Sequence, residues 1–343
     1  MWLSGWNCVD VVSIFERFLG CPAEPVVYLL PPRQAGSITA PASRVDGEFR
    51  RMGMFEGALT ALVTPFRENR LDEKAMRAIV AEQIAGGIAG LVPSGTTGES
   101  ASLSHDEYAR LLEIVVDEAR GRVPVIAGAG SASTSHAIDL AKIAQRAKAN
   151  ALLIVAPYYY KPSPDGVFAH YAAVAQAVPL PIVLYNIPSR TGIDISLATL
   201  ERLAGIPSIV AIKESTGNVL RSSEIATRFG DRFTVLSGDD SLTLPIMAVG
   251  GQGVISVASN VAPREVSRQV ELFRAGDLAG ARKQHQRLSP LYEALFIEPN
   301  PCPVKAALAM RGIITGELRL PFTTPSEVAL QRIRKALVEL GVL

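Results

Sequence analysis

The sequence predicts a (β/α)8 TIM barrel with a C-terminal helical extension, and three observations point there. From Gly57 onward, eight short apolar runs, mostly β-branched, alternate with segments of helical period. No Gly-x-Gly-x-x-Gly follows the first run, as it would in an open dinucleotide-binding sheet. The polar residues most out of place in a buried strand cluster where the runs end, and barrels collect their chemistry at the carboxyl ends of their strands. An open doubly wound sheet is the alternative, but it usually has fewer strands.

The runs are Ala58–Val63, Gly90–Val92, Val125–Ala127, Leu152–Val155, Ile182–Tyr185, Ile209–Ile212, Thr234–Leu236 and Val254–Val257. Each is too short for a convincing helix and reads as a strand buried on both faces. Helix signals fill the gaps. Asp72 opens a helix that Gly86 and Gly87 close. Ser104 and Glu107 make a capping box before the stripe Tyr108, Leu111, Leu112, Val115, Val116 and Ala119. Ser196 caps a helix carrying Leu197, Leu200 and Leu203. After Pro263 the chain reads as helical, including Asp277 to Leu295 and Ser326 to Leu340. That is more than barrel closure needs, so the extra helices are expected outside the barrel or on a partner.

Residues 1–53 differ from the rest. They hold Trp2 and Trp6, both tryptophans of the chain, together with Cys8 and Cys21. Asp10 and Glu16 precede Arg17, the first basic residue, which makes a poor signal peptide. The expectation is a disordered extension, or upstream sequence attached through a mis-assigned start, with Met52 and Met54 as plausible true starts. The expected division is therefore 1–53 as extension, 54–275 as catalytic barrel and 276–343 as the C-terminal helical region.

Bulk properties exclude several function classes. The 343 residues are 48% hydrophobic and 20% charged, which suits a large core rather than disorder. A net charge of +1 without long single-sign runs points away from nucleic acid and from anionic membranes. No run approaches the roughly 18 apolar residues of a spanning helix. Cys8, Cys21 and Cys302 have no metal or redox spacing, and His105, His136, His170 and His285 are scattered. No metal, no organic cofactor and a reducing cytoplasmic setting are expected.

Lys213 is the most informative residue. It ends the apolar run Ile209–Ile212, where an unpaired ammonium is costly to bury. Such a lysine tends to give up its proton, and neutral amine is the nucleophile that makes Schiff bases. The bland alternative is a strand-end lysine that reaches solvent or pairs with Glu214. Its surroundings decide against that. The second run leads into Ser94-Gly95-Thr96-Thr97-Gly98-Glu99-Ser100, where backbone amides and threonine hydroxyls can converge on a small anion. The fourth leads into Tyr158-Tyr159-Tyr160, phenols able to relay protons. The fifth ends at Tyr185 with Arg190 five residues on, suited to gripping a carboxylate. The pair Asp239-Asp240 has no evident third metal ligand and reads as hydrogen-bonded loop structure. An amine, phenols, an arginine and an anion cradle on one predicted face suit imine chemistry on a 2-oxo acid.

At these residues the chain also resembles a known family. Gly95-Thr96-Thr97-Gly98-Glu99-Ser100, Tyr185-Asn186-Ile187-Pro188-Ser189-Arg190-Thr191-Gly192, Ile212-Lys213-Glu214 and the stretch from Glu298 to Lys305 are similar to those of 4-hydroxy-tetrahydrodipicolinate (dihydrodipicolinate) synthases, within the pyruvate-dependent class I aldolases. The resemblance runs from about Met54 to the C-terminus. It implies a lyase of the diaminopimelate route to lysine, condensing pyruvate with L-aspartate 4-semialdehyde. By that resemblance Lys213 forms the imine, and Tyr185, Thr96 and Tyr159 relay protons. Thr97 would hold the pyruvate carboxylate, Ile255 would line the pyruvate site and Arg190 would bind the semialdehyde carboxylate. Tyr159 would reach in from a neighbouring subunit, which implies a homotetramer.

The family's lysine-feedback cleft would be lined here by Ser100, Ala101, His105, Tyr108, Ala132, His136 and Tyr158. Tyr108, Ala132 and His136 depart from the histidine, asparagine and glutamate of lysine-sensitive members, so weak or absent inhibition by lysine is expected. Two rival functions remain. One is another pyruvate-dependent aldolase, against which Arg190 speaks. The other is a catalytically silent metabolite-binding relative, against which the intact Lys213, Tyr185, Thr96 and Tyr159 speak.

Overall fold

The computed structural model describes residues 55–343, so the expectations for residues 1–53 lie outside the described residues. Eight parallel strands form the predicted barrel. They are β1 (Gly57–Ala61), β2 (Gly90–Val92), β3 (Ile126–Gly128), β4 (Ala151–Val155), β5 (Ile182–Asn186), β6 (Ile209–Glu214), β7 (Thr234–Ser237) and β8 (Gly253–Ser256). Strand β8 returns to β1 with Ile255 opposite Leu59. The seam between β2 and β3 is a single bridge, Leu91 to Val125. The Leu91 N–H donates to Pro124 O there, and the Gly128 N–H to Pro93 O, both at 2.9 Å. With that bridge the ring is closed.

Around the strands lie α1 (Glu73–Ala85), α2 (His105–Ala119), α3 (Thr134–Arg146), α4 (Pro164–Ala177), α5 (Leu197–Leu203), α6 (Val219–Phe229), α7 (Thr243–Ala248) and α8 (Pro263–Arg274). The caps read from sequence are formed. Asp72 accepts from the Ala75 N–H, Ser196 accepts from the Thr199 N–H, and Ser104 with Glu107 makes the reciprocal box. Each cap satisfies a donor that the helix cannot, worth about 1 kcal/mol.

Three helices follow: α9 (Leu278–Leu295), α10 (Cys302–Met310) and α11 (Glu327–Leu340). They pack against the outside of the barrel. Leu288, Val304, Leu308, Ile333 and Leu337 share one apolar cluster with Met76 and Ile79 of α1 and Val115 of α2. Each such buried leucine or isoleucine favours the packed state by about 1.5–3 kcal/mol. The connections among these helices carry polar residues back to the strand ends.

Inside the barrel the strands alternate faces. Leu59, Val92, Ile126, Leu153, Val183, Ala211, Leu236 and Ile255 fill the interior. Between β5 and β6 the register shifts. Ile182 pairs with Ile209 but Val183 with Ala211, so Val210 is the extra residue of a bulge. A one-residue slip turns every later side chain to the other face. The bulge therefore sets which way the end of β6 points.

Candidate active site

Downstream of Val210, Tyr185 of β5 lies in register with Lys213 of β6, and Asn186 with Glu214. Tyr185 belongs to the interior cluster, so Lys213 also faces inward and Glu214 faces outward. The Glu214 carboxylate accepts from Asn186 Nδ2 at 3.1 Å, from the Thr216 N–H at 2.8 Å and from Arg221 Nε at 3.1 Å. Strand alternation thus rules out the pairing of Lys213 with its neighbour Glu214. Lys213 is 5% exposed, and its Nζ stands 4.2 Å from the centroid of the Tyr185 ring. Gly238, just past β7, makes room for it. A Cβ at position 238 would fall 3.0 Å from Lys213 Cε and 1.7 Å from Ser215 Oγ.

The cradle after β2 is a tight turn in which the Gly98 N–H donates to Gly95 O and the Glu99 N–H to Thr96 O, each at 3.1 Å. Thr96 and Tyr185 line one small cavity of about 30 Å3 with Ser94, Gly128, Gly130 and Val155. A larger cavity of about 290 Å3 adjoins it and shares Ser94, Thr96, Ser100, Gly130 and Val155. Arg190 lines that larger cavity, as do Tyr158, Tyr108, His136 and Phe322. Arg190 sits in a one-turn helix, Pro188–Thr191, and its Nη2 donates to Asn300 O at 3.2 Å. Ile255 is fully buried in the interior beside Leu59. Lys213, Tyr185, Thr96, Thr97, Arg190 and Ile255 are thus all carried by strand ends or the loops that follow them.

Tyr159 also follows a strand, β4, but it is 81% exposed, with φ +73°, where the others named are buried or line a cavity. Like Lys213, Thr97 and Ile255, it lines neither of the two cavities. Tyr160 beside it is 73% exposed, and the two rings meet edge-on at 5.4 Å. A positive φ on a tyrosine is an unusual backbone state, held here by a loop that throws both rings outward.

The Asp239-Asp240 pair behaves as loop structure. Asp240 is buried and accepts from Ser256 Oγ and from the Val257 and Ala258 N–H groups at 3.0 and 3.1 Å. Burial raises the Asp240 carboxyl above its ordinary value, and those hydrogen bonds oppose the rise. Burial likewise raises Asp239, with the Lys213 charge opposing it. Among the described residues no group of three histidine, cysteine, aspartate or glutamate side chains is placed to hold a metal ion.

Sequence reasoning missed what lies under the cradle. Glu99 and Lys305 form an ion pair at 2.6 Å with both side chains fully buried. Burial lowers Lys305 below the ordinary lysine value, and Glu99 opposes the shift. The Lys305 Nζ and the Arg319 guanidinium lie 4.5 and 4.1 Å from the centroid of the Phe66 ring. Arg319 also hydrogen-bonds Glu107 and holds its carboxyl down at about 2. Asn300 Nδ2 donates to Thr97 Oγ1 at 2.9 Å. The signal was present in the sequence as a lone lysine in the apolar segment Cys302–Met310 and a lone glutamate inside a glycine-threonine turn.

Residues 54–340 match the family model described as the dihydrodipicolinate synthetase family. The chain belongs to that family. Among curated members, a 4-hydroxy-tetrahydrodipicolinate synthase from Syntrophus aciditrophicus is 49% identical over 290 residues, which covers 84% of this chain and 100% of that one. One from Sorangium cellulosum is 54% identical over 284 residues, covering 82% of this chain and 94% of the relative. Among solved structures, the chloride-inhibited dihydrodipicolinate synthase from Acinetobacter baumannii, complexed with pyruvate, is 39% identical. It superposes with a TM-score of 0.82 over 84% of this chain and 100% of that one. The barrel therefore agrees with the sequence resemblance.

Proposed function

We propose that this chain is a Schiff-base-forming lyase, a 4-hydroxy-tetrahydrodipicolinate synthase that condenses pyruvate with L-aspartate 4-semialdehyde. The observation that carries this reading is the inward-facing Lys213, held over the ring of Tyr185, which shares a cavity with Thr96 of the glycine-threonine turn. The names of the curated relatives and the pyruvate in the Acinetobacter baumannii structure support it.

Lys213 attacks the pyruvate ketone and loses water to give the imine. The positive imine nitrogen accepts the electron pair of a methyl C–H bond whose proton passes to the relay, and the enamine formed adds to the aldehyde carbon. The amine of the semialdehyde then attacks the same imine carbon and releases Lys213 as the ring closes. Protons move at each step, so a relay within hydrogen-bond reach is required. Tyr185 and Thr96 face one small cavity and form the part of the relay contained in one chain. By the resemblance Tyr159 completes it from a second copy, and its 81% exposure in its own chain supports that reading. That assignment makes the active form a homo-oligomer, a tetramer by resemblance. Thr97 and the cradle amides take the pyruvate carboxylate, Ile255 backs the pyruvate methyl, and Arg190 takes the semialdehyde carboxylate.

The lysine carries the electron-sink role, and no organic cofactor enters this scheme. Residues 54–275 serve as the catalytic barrel and 276–343 as a helical region that buttresses it. A cytoplasmic setting fits the chain's lone, buried Cys302 among the described residues, where no helix is long and apolar enough to cross a membrane.

Borohydride reduction in the presence of pyruvate tests the reading. One pyruvate-derived adduct should map to Lys213, and Lys213→Arg should abolish it, because a guanidinium stays protonated. An adduct on another lysine, or none, sinks the mechanism. Turnover with aspartate semialdehyde should exceed turnover with N-acetylmannosamine, and the reverse would move the chain to the sugar-acid aldolases.

A further inference from the structure

Asn300 is joined to both carboxylate-binding residues of the site. It lies in the connection between α9 and α10 and is 6% exposed. Its side-chain Nδ2 donates to Thr97 Oγ1 at 2.9 Å, and its backbone carbonyl accepts from Arg190 Nη2 at 3.2 Å. Its Oδ1 is buried with no hydrogen-bond partner. The bond to Thr97 is thus the hydrogen bond that the side-chain amide makes within the protein.

The chemistry of the two groups decides what that bond does. A threonine hydroxyl has one proton to give and lone pairs that accept, and it can point either way. An amide NH2 donates and cannot accept. With Asn300 Nδ2 filling a lone pair of Thr97 Oγ1, the Thr97 proton is free to point elsewhere. A carboxylate accepts only, so a hydroxyl that grips it must present that proton. The contact to Arg190 uses one of the five guanidinium donors and leaves the others for a second carboxylate.

We infer that Asn300 is a positioning residue: its side-chain amide holds Thr97 as an obligate donor toward the pyruvate carboxylate, and its backbone carbonyl places Arg190 for the second substrate. The inference rests on the synthase reading above. It makes one residue of the C-terminal region set the spacing between the carboxylates of the two substrates. Misplacement by about 1 Å at such a point can cost orders of magnitude in rate. Because the two contacts use different parts of the residue, substitution separates them. Any side-chain change removes the hold on Thr97 and keeps the carbonyl that faces Arg190.

The test titrates pyruvate against borohydride-trapped adduct, read by mass spectrometry, so it needs no turnover. Asn300→Ala should raise the half-saturating pyruvate concentration about fivefold, the effect of one neutral hydrogen bond. Asn300→Asp, nearly the same shape, should raise it more than tenfold. Its carboxylate turns the Thr97 proton inward and adds a negative charge beside the substrate. In steady state, Asn300→Ala should shift the KM for pyruvate more than the KM for aspartate semialdehyde. In a Thr97→Val background, Asn300→Ala should add nothing further, whereas in Thr97→Ser its effect should return. Additive losses in the Thr97→Val background, or an Asn300→Asp enzyme with wild-type pyruvate affinity, would overturn the assignment. A wild-type protein that traps no pyruvate would instead bring down the synthase reading, and this inference with it.

Discussion

The Lys213 amine lies over the face of the Tyr185 ring, 4.2 Å from its centroid, on the neighbouring strand and in register with it. The ring face and the phenol oxygen can therefore act separately. The face packs against the end of the Lys213 side chain and helps fix where the nitrogen sits. Tyr185 also lines the cavity that Thr96 lines, where the proposed mechanism gives its hydroxyl the proton transfer. Tyr185→Phe keeps the face and removes the hydroxyl. It should still trap pyruvate on Lys213 while turnover falls by roughly 10^2 or more. Near wild-type turnover would remove Tyr185 from the relay.

Arg190 stands on the rim of the larger cavity, on a one-turn helix rather than a strand. Arg190→Ala should raise the KM for aspartate semialdehyde by about 10- to 100-fold, the loss of a charged hydrogen bond, and leave pyruvate nearly untouched. Steady-state kinetics with each substrate varied in turn decides the matter. A selective rise for pyruvate would place Arg190 at the wrong substrate.

Five of the residues expected in a lysine-feedback cleft, Ser100, Ala101, Tyr108, His136 and Tyr158, line the same cavity as Arg190. His105 stacks on His136 at 5.0 Å between ring centroids. A lysine ligand brings an ammonium, which needs a carboxylate or amide oxygen to replace its lost hydration. Ala132 offers no side-chain acceptor, and His136 is a neutral acceptor at best. The loss of one charged hydrogen bond, about 1.5–3 kcal/mol, weakens binding roughly ten- to hundredfold. The enzyme should keep nearly full activity at L-lysine concentrations around 1 mM. Half-inhibition well below that would show that another group, such as the buried Tyr108 hydroxyl, accepts the ammonium.

His170 gives the fold an acid-sensitive point. It is buried on α4, its Nδ1 lies 3.0 Å from Thr134 Oγ1, and burial lowers its pKa to about 4. The folded form therefore stays neutral where the unfolded chain, near 6.5, takes up a proton. Protons bound only by the unfolded state favour unfolding as pH falls, so stability drops between about 6.5 and 4. From pH 7 to pH 5 the loss attributable to His170 is on the order of 2 kcal/mol. His170→Gln should flatten that part of the melting profile. An equally steep profile in the variant would assign the acid sensitivity elsewhere.

The strands were legible because a buried parallel strand must be apolar on both faces, and runs such as Leu152–Val155 and Ile209–Ile212 leave little else to be. Helix starts were legible where a side chain caps them, as at Asp72, Ser104 and Ser196. Lys213 and Tyr185 stood out as polar groups ending apolar runs, and Arg190 as a cation on the loop just past one. The bulge at Val210 was not legible, since it depends on the neighbouring strand and not on local pattern. Asn300, Lys305 and Arg319 escaped for the same reason. Their partners Thr97, Glu99 and Glu107 lie more than 200 positions earlier in the chain.

That separation also orders events in time. A chain emerging from the ribosome presents β1 to β8, with Lys213 among them, well before residues 300–319 appear. Until then Glu99 lacks Lys305, Thr97 lacks its contact from Asn300, and Phe66 lacks both of the cations that flank it. The glycine-threonine turn is therefore completed after the strands that surround it, by residues 300–319. The inward-facing amine of Lys213 and the buried contacts beneath the glycine-threonine turn are thus supplied at different stages of synthesis, the latter by the last stretch of chain.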